Sequence, residues 1–259
     1  MIEAYEGTTP LLISLPHVGR GIPADIAIGM TDRGRAVLDT DWHVEQLYGF
    51  ARSAGAGWLQ PSLSRYVVDL NRPPSDAALY AGQVSTGLCP TQSFAGEDLY
   101  RRAAPDATEV ARRRTRYWEP YHAHLRALLD ATVARHGHAV LLDAHSIQAE
   151  VPRLFAGRLP DVNVGTNDGY SCSPALAAAI MARLGAQQRF TAVLNGRFKG
   201  GYITRHYGEP AQRVHAVQLE LVQAAYMDEA TARYDPVRAG PLQELLRGLV
   251  DVLGSFKPP

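Results

Sequence analysis

Two histidines each follow a short apolar run that has the character of a buried strand. His17 comes after residues 11–15, and His145 comes after residues 139–142. They are 145 − 17 = 128 positions apart, so only the fold could bring them together. A single histidine at a strand end is more often structural than a ligand. Two of them, each beside small residues and a nearby carboxylate, favour a metal site, because a catalytic zinc site commonly uses two imidazoles and one carboxylate.

The carboxylate of such a site has two candidates, Asp41 and Glu45. Asp41 stands immediately before a segment with helical periodicity, so its alternative role is to cap that helix. His43 is a further candidate metal ligand, although its place in the predicted helix favours a surface position or a contact with one of the residues that bind the metal. Asp143 precedes His145 by two residues, so in a strand both side chains point to one face and Asp143 could orient the imidazole. A hydrogen bond to nearby backbone is the alternative for Asp143.

Arginines lie in two segments that are bounded by glycine or proline. Arg65, Asn71 and Arg72 flank one apolar run, and Arg205 lies in a glycine-flanked loop. An arginine can form two parallel hydrogen bonds to a carboxylate, which a lysine cannot do. Any one of these arginines alone is more often an exposed solvating group. Their placement together favours an anionic substrate.

Glu220 stands in a late run, residues 215–220, in which polar and apolar residues alternate. Alternation of this kind is ordinary in a strand with one face in water. If the strand is interior, the carboxylate needs a charged or hydrogen-bonding partner to offset its desolvation. Beside a metal-bound water it would have such a partner and would serve as a general base.

Strands alternate with helices along the chain. Apolar runs predict strands at residues 11–15, 66–70, 139–142, 162–166, 190–194 and 216–221. Helical periodicity predicts helices at residues 42–54, 106–136, 173–184 and 242–253, with a kink or break at Pro120 and an end at Gly137 in the second of them. Residues 75–105, rich in small polar residues, are predicted to be a long excursion near the site. This pattern predicts one layered α/β domain over residues 1–259, in which ligands gather outside the carboxyl ends of the strands.

Composition excludes several classes of protein. Hydrophobic residues make up 46% and charged residues 20%, which is enough apolar material for one large core. Lys+Arg and Asp+Glu both number 26, and there is no basic run of the kind that neutralises a phosphate backbone, so we expect no nucleic-acid partner. The absence of a signal peptide and of an apolar segment of roughly 20 residues predicts a cytoplasmic protein without a membrane partner. Cys89 and Cys172 lack metal-binding spacing and are predicted to be incidental.

Several segments together resemble the N-formylglutamate amidohydrolase family. The matching pieces are residues 14–19, 41–44, 64–74, 141–146, 201–208 and 215–220. Each histidine motif is weak by itself, whereas the ordered set spans most of the chain and is specific. The family is similar to zinc carboxypeptidases and aspartoacylase. The resemblance therefore implies a phosphorylase/hydrolase-like fold, a three-layer α/β sandwich with a mixed central sheet.

The resemblance also implies roles for particular residues. In those relatives a His-x-x-Glu pair and a distant histidine hold the metal, an Asn-Arg pair grips a substrate carboxylate, and a late glutamate is the base. By this match His17 and His145 are metal ligands, and Glu220 is the base. Asn71 and Arg72 match the carboxylate grip.

The chain departs from those relatives at the third metal ligand. Arg20 stands where the relatives have a glutamate. Asp41 is therefore the predicted third ligand, and Glu45 is the alternative.

The activity that the resemblance implies is zinc-dependent hydrolysis of N-formyl-L-glutamate to formate and L-glutamate, a step of histidine degradation. Because this substrate is a dianion, we expect Arg72 and at least one of Arg65 and Arg205 to bind its carboxylates. One alternative is a hydrolase of another N-acyl acidic amino acid. A metal-free binding protein for acidic amino acids is the alternative from a different class.

Overall fold

A mixed sheet of seven strands forms the centre of the computed structural model, which describes residues 2–77 and 86–258. The strands are β1 (Ile2–Tyr5), β2 (Leu11–Ser14), β3 (Gly57–Pro61), β4 (Ala139–Ile147), β5 (Val162–Gly165), β6 (Ala192–Leu194) and β7 (Val214–Val222). Their order across the sheet is β1-β3-β2-β4-β7-β5-β6. The pairs β1/β3 and β5/β7 are antiparallel, and the other neighbours are parallel. The predicted α/β fold with a mixed central sheet is confirmed.

Helices cover both faces of this sheet. They are α1 (Ala24–Ala27), α2 (Asp32–Arg35), α3 (Val44–Leu47), α4 (Phe50–Ser53), α5 (Ala107–Arg113), α6 (Glu119–His136), α7 (Pro174–Gly185), α8 (Tyr202–Tyr207) and α9 (Pro236–Ser255). Successive side chains of a strand point to opposite faces. Leu11 and Ile13 of β2 accordingly pack in the core with α3, α4, α7 and α9, whereas Leu12 packs with α6 and α8. The structure therefore has the three predicted layers.

The strands β4 and β7 lie at the centre of the sheet and are buried along their whole lengths. Each has a hydrogen-bonded strand on both sides and helices on both faces, which is the environment that favours nearly continuous apolar sequences. A polar side chain in either strand is therefore removed from water. It has to be paired with another polar group for the fold to be stable.

The helix predicted for residues 106–136 is interrupted. α5 ends at Arg113, a π-helical turn covers Arg114–Trp118, and α6 then begins at Glu119. Pro120 lies in the first turn of α6, where its missing N–H would have no partner inside the helix. Gly137 ends α6 with a φ of +79°, in the left-handed region that favours glycine. The chain therefore stays helical from Ala107 to His136, and the disturbance predicted at Pro120 is a π-helical turn just before it and not a break, whereas the predicted end at Gly137 is confirmed.

The strand predicted for residues 66–70 is wrong. This segment forms turns, in which the Val67 N–H donates to Ser64 O and the Asp69 N–H donates to Leu88 O. Its apolar side chains are buried although it is no strand, since Val67 packs with Leu99 and Met30 under loops, and Val68 and Leu70 pack in the core that contains α6. Burial by irregular chain produces the same apolar run as burial in a sheet. The neighbouring strand of the sheet is β3, which the pattern missed.

The single helix predicted for residues 42–54 is also wrong. It is divided into α3 and α4, and the residue before α3 is His43, which has a φ of +62°. No side chain caps α3, so Asp41 does not have the capping role that was its alternative. The other predicted strands and helices are present, with bounds that differ by a few residues. The largest extensions are those of β4 to Ile147 and of α9 back to Pro236.

The predicted excursion, residues 75–105, includes residues 78–85, which lie outside the described part of the chain. From Thr86 onward it runs as irregular chain with isolated bridges, such as those between Met30 and Tyr100 and between Gln92 and Asp98. Among the described residues, no helix has the length and apolar character that crossing a bilayer requires.

Candidate active site

Three neighbouring strands, β2, β4 and β7, bring the predicted reactive residues together. His17 lies just beyond the end of β2, as predicted. His145 lies within β4 and not after it, because this strand is longer than its apolar run. Glu220 lies in β7, where its Cα is the ladder partner of His145. Residues that are far apart in the sequence thus become neighbours through the parallel pairing of strands.

His17, Asp41 and His145 form a buried group that could hold a metal ion. One nitrogen or oxygen atom from each residue lies within 4.8 Å of the others. Asp41 Oδ2 is 2.9 Å from His145 Nδ1 and 3.7 Å from His17 Nδ1. His17 Nδ1 is buried and has no hydrogen-bond partner among the described residues, so a cation would satisfy it. Two imidazoles and a carboxylate are ligands that suit zinc.

The two other candidates for the metal site are placed differently. Glu45 is not part of the group of three, although its Oε2 is buried without a hydrogen-bond partner in the part of the chain described. His43 has its Nε2 2.9 Å from the carbonyl oxygen of Ala232. The geometry therefore favours Asp41 as the third ligand.

The imidazole of His17 is oriented by a buried carboxylate, that of Asp69. His17 Nε2 is 2.7 Å from Asp69 Oδ1, while Asp69 Oδ2 accepts a 2.7 Å hydrogen bond from Arg65 Nη2. Burial alone would raise the pKa of Asp69, but the charges of Arg65 and His17 outweigh it and hold this pKa well below its usual range. An anionic Asp69 accepts a hydrogen bond from His17 Nε2, so the proton of the neutral imidazole lies on Nε2. His17 Nδ1 then has a lone pair that could bind a metal.

The imidazole of His145 is held in the same way by Asp143. His145 Nε2 is 2.9 Å from Asp143 Oδ1, so the prediction that Asp143 orients this ring is confirmed. Asp143 Oδ2 also accepts hydrogen bonds from Asn71 Nδ2 (3.1 Å) and Thr204 Oγ1 (3.0 Å). Burial would lower the pKa of His145, but Asp143 and Asp41 together raise it well above its usual range. A cation that binds at Nδ1 therefore competes with a proton.

Asn71 connects these two carboxylates. Its backbone N–H donates to Asp69 Oδ1 at 2.9 Å, and its side-chain Nδ2 lies 3.1 Å from Asp143 Oδ2 and 2.8 Å from His145 Nε2. The carboxamide is fixed because Oδ1 accepts a 2.7 Å hydrogen bond from the Ile203 N–H. The chain passes so close that a Cβ at Gly201 would lie 2.4 Å from Asn71 Nδ2, which only glycine avoids. Asn71 thus acts as a link between the two histidine partners.

Glu220 is buried beside this group. Only 6% of its surface is exposed, and its Oε2 accepts a 3.1 Å hydrogen bond from Gln218 Nε2. Burial raises the pKa of the Glu220 carboxyl to about 8, although the charge of His145 opposes the shift. A cation held by the neighbouring His17, Asp41 and His145 would favour the ionised carboxylate, which is the form that can take up a proton and return it.

The reactive groups face a single pocket, which His17, His145 and Glu220 all line. Arg65, Arg72 and other side chains complete the walls. Among the described residues, the lining also contains Asn71, Thr86, Phe94, Ser146, Ile147, Leu154, Arg197, Phe198, Gly201 and Gln218. The predicted excursion is thus near the site, since its Thr86 and Phe94 form part of the wall.

The sequence matches the model of the N-formylglutamate amidohydrolase family over residues 9–227. The chain belongs to this family. It is 50% identical to the N-formylglutamate deformylase of Pseudomonas aeruginosa over 255 residues, which cover 98% of this chain and 96% of that one. Its identity to the N-formylglutamate deformylase of Pseudomonas putida is 46% over 255 residues, with coverage of 98% and 95%. The family resemblance read from the sequence is confirmed.

Solved structures show the same fold. The N-formylglutamate amidohydrolase of Ralstonia eutropha JMP134 has a TM-score of 0.79 to this amidohydrolase at 25% identity, covering 97% of this chain and 95% of its own. A protein of Agrobacterium tumefaciens has a TM-score of 0.74 at 18% identity, with coverage of 96% and 94%. The arrangement of strands and helices is therefore shared with other chains of low sequence identity.

The predicted substrate-binding arginines of this amidohydrolase differ in their surroundings. Arg72 lines the pocket, and its guanidinium donates from Nε to Thr86 O, from Nη1 to Asn71 O and from Nη2 to Thr86 Oγ1. Arg65 also lines it, but its guanidinium is buried against Asp69 and Asp41. Arg205 is not among the lining residues, and its Nε donates to Gly200 O. The structure thus brings only the first two to the pocket.

Three residues of the site were missed by the sequence reasoning, and two of them carried a signal. Asp69 interrupts a buried apolar run, which implies a polar partner. Gln218 stands two residues before Glu220, which is the same spacing as that of Asp143 and His145. Arg197, which lines the pocket, had no signal, because its segment shows neither apolar periodicity nor a recognised motif.

Proposed function

We propose that this chain hydrolyses N-formyl-L-glutamate to formate and L-glutamate in the cytoplasm, with zinc as its metal, as a step of histidine degradation. The observation that carries the proposal is one pocket whose walls include two metal-binding imidazoles, a buried carboxylate and arginines. The family and the printed activity of the two Pseudomonas relatives support the choice of substrate.

His17, Asp41 and His145 would hold the metal. When bound, zinc would supply Lewis acidity and lower the pKa of a water from 15.7 towards about 7. Asp69 and Asp143 keep the two imidazoles turned so that Nδ1 is directed to the site. Their carboxylates also make the imidazoles better electron donors, as partners of ligands commonly do.

Glu220 is the proposed general base. It accepts a proton from the attacking water as the water oxygen bonds to the formyl carbon. It then delivers that proton to the amide nitrogen as the carbon–nitrogen bond breaks, so that formate and the amine of glutamate leave. Burial of Glu220 excludes bulk water, which would otherwise compete for the proton.

Arg72 and Arg197 are the proposed partners of the two substrate carboxylates, since both line the pocket. The guanidinium of Arg197 is held by a 3.1 Å hydrogen bond from Nε to Leu154 O and lies over the ring of Phe198. Arg65 contributes positive charge to the pocket wall, but it is paired with Asp69. Its main proposed role is to hold Asp69, which in turn orients His17. Asn71 acts beside Arg72 by fixing Asp143.

The test of this function is hydrolysis by the purified chain. We expect N-formyl-L-glutamate to yield formate and glutamate in equal amounts, measured by proton NMR or by a formate dehydrogenase assay. N-acetyl- and N-succinyl-L-glutamate should react more slowly. Chelation should abolish the reaction and zinc should restore it, because the proposed chemistry needs a Lewis acid.

Two results would contradict the proposal in different ways. Preferred cleavage of the acetyl or succinyl substrate would keep the chemistry and change the acyl group. Tight binding of acidic amino acids by a metal-free protein, without any hydrolysis, would instead identify a binding protein.

Arg72→Lys and Arg197→Lys should each raise KM for N-formyl-L-glutamate by roughly 10- to 100-fold, because a hydrogen bond to a charged group contributes ~1.5–3 kcal/mol and the forked geometry is lost. We expect kcat to change little, since the carboxylate contacts exist in both the ground state and the transition state. Steady-state kinetics on the dianion and on N-formyl-L-glutamine, which lacks the side-chain carboxylate, would measure both effects.

Arg205→Lys is the matched control, since Arg205 lies outside the pocket lining. It should leave KM near that of the unchanged protein. A KM effect as large as that of Arg72→Lys would return Arg205 to the substrate site. One of the two pocket variants should lose more on the dianion than on the amide, so an equal loss on both substrates in both variants would argue against contact with the side-chain carboxylate.

A further inference from the structure

Gln218 and Glu220 stand two residues apart in β7, so their side chains point to the same face of the sheet. Both line the pocket, and their exposed fractions are only 4% and 6%. Their Cα partners in β4 are Asp143 and His145. Each of the two strands thus presents one residue of the reaction centre together with a polar residue two positions before it. In β4 that polar residue orients the imidazole.

The orientation of the Gln218 carboxamide is determined by a backbone group. The Gly201 N–H lies 2.7 Å from Gln218 Oε1 and can only donate, so Oε1 is the acceptor. The amide nitrogen must then be on the other side, where Nε2 donates to Glu220 Oε2 at 3.1 Å. A flipped carboxamide would place an N–H against the Gly201 N–H and an oxygen against the carboxylate. Both contacts would be unfavourable in a buried site.

The backbone that fixes Gln218 belongs to the segment that also fixes the metal-site partners. Gly201 immediately precedes α8, and two residues of α8 contact the groups that support the two imidazoles. The Ile203 N–H holds Asn71, and Thr204 Oγ1 donates to Asp143. One short segment therefore sets the positions of groups on both sides of the reaction centre.

We propose that Gln218 is a positioning residue for the reaction. By donating to Oε2 it holds the plane of the Glu220 carboxylate and reserves Oε1 for the proton. That proton passes from the attacking water to Oε1, and from Oε1 to the leaving nitrogen. This inference rests on the proposed role of Glu220 as the base.

Two substitutions separate positioning from mere support of the loop. Gln218→Glu keeps the shape and the acceptor for the Gly201 N–H but replaces the donor to Glu220 with an oxygen. Gln218→Met removes both hydrogen bonds. We expect both to lower kcat by roughly 10- to 100-fold, a part of the 10²- to 10⁴-fold that acid–base assistance supplies, with KM changed by less than about threefold. Zinc content by mass spectrometry and Tm of the zinc-loaded protein are measured beside the kinetics.

If Gln218 only supports the fold, different results are expected. The kcat of Gln218→Glu, which retains the hydrogen bond to Gly201, should then be near normal, and the Tm of Gln218→Met should be lowered. Normal turnover of a folded, zinc-loaded Gln218→Glu protein would therefore overturn the proposal. A raised KM of the Gln218→Glu protein with an unchanged kcat would also overturn the proposal.

A double-mutant cycle ties the effect to Glu220. If Gln218 acts through this carboxylate, adding Gln218→Glu to Glu220→Gln should lower kcat by no more than about twofold beyond the single Glu220→Gln variant. A further loss of 10-fold or more would show that Gln218 acts elsewhere and would overturn the proposal. If Glu220→Gln alone has normal turnover, the base assignment fails and the inference falls with it. If Glu220→Gln is impaired while Gln218→Glu is not, only the inference fails.

Discussion

Glu220→Gln is expected to lower kcat for N-formyl-L-glutamate by roughly 10²- to 10⁴-fold, which is the usual contribution of general acid–base catalysis. The substitution keeps the shape of the side chain and removes only its ability to take a proton. Zinc content and Tm should stay near those of the unchanged protein, because Glu220 is not in the metal group and an amide can still occupy its place. Steady-state kinetics, metal analysis and thermal unfolding of one preparation would measure all three.

A structural carboxylate would behave in the opposite way, with a lowered Tm and normal activity per folded molecule. Glu209→Gln is the control, since Glu209 precedes β7 and does not line the pocket. It should retain normal turnover. Full activity of a zinc-loaded Glu220→Gln protein, or a large loss in the Glu209→Gln control, would move the assignment of the base away from Glu220.

His17→Ala, His145→Ala and Asp41→Ala should each remove both bound zinc and activity, because two remaining ligands hold zinc poorly. The loss of zinc affinity should exceed the roughly 10- to 100-fold that follows when only the hydrogen-bond partner of a ligand is removed. Asp143→Asn, which changes only the hydrogen-bond partner of His145, should show this smaller loss of zinc affinity and serves as the comparison. Zinc content after dialysis and competition with a chromophoric chelator would rank the variants.

Glu45→Ala is the control for the third ligand. We expect it to keep its zinc, because Glu45 lies outside the group of three. Loss of zinc from Glu45→Ala together with its retention in Asp41→Ala would reverse the assignment. Undiminished zinc in either histidine variant would remove that histidine from the metal site.

The fold class could be predicted from the sequence because the buried strands have nearly continuous apolar runs and the helices have clear periodicity. The segment at residues 66–70 could not, since turns buried under loops produce the same apolar run as a strand. β3 was missed for the opposite reason. Its residues, Gly57–Pro61, include a glycine, a glutamine and a proline, so its burial between β1 and β2 leaves no continuous apolar pattern.

The candidate site was predictable where residue type alone limits the chemistry. His17, Asp41 and His145 could be predicted because their side chains are common metal ligands and they lie near predicted strands or helices. The structure brings these three residues together. The support of the site was less predictable, since it depends on contacts across the fold. Asn71 was expected to grip a substrate, yet its carboxamide is occupied by Ile203 and Asp143.

Two of the proposed reactive groups and the proposed substrate-binding arginines stand on different kinds of structure. His145 and Glu220 lie within the two central strands, whereas Arg72, Phe94 and Arg197 line the pocket from irregular segments. Irregular segments tolerate substitution and insertion far better than buried strands do. Substitutions in the segments around Arg72, Phe94 and Arg197 could therefore change which acid enters the pocket while the two central strands stay intact.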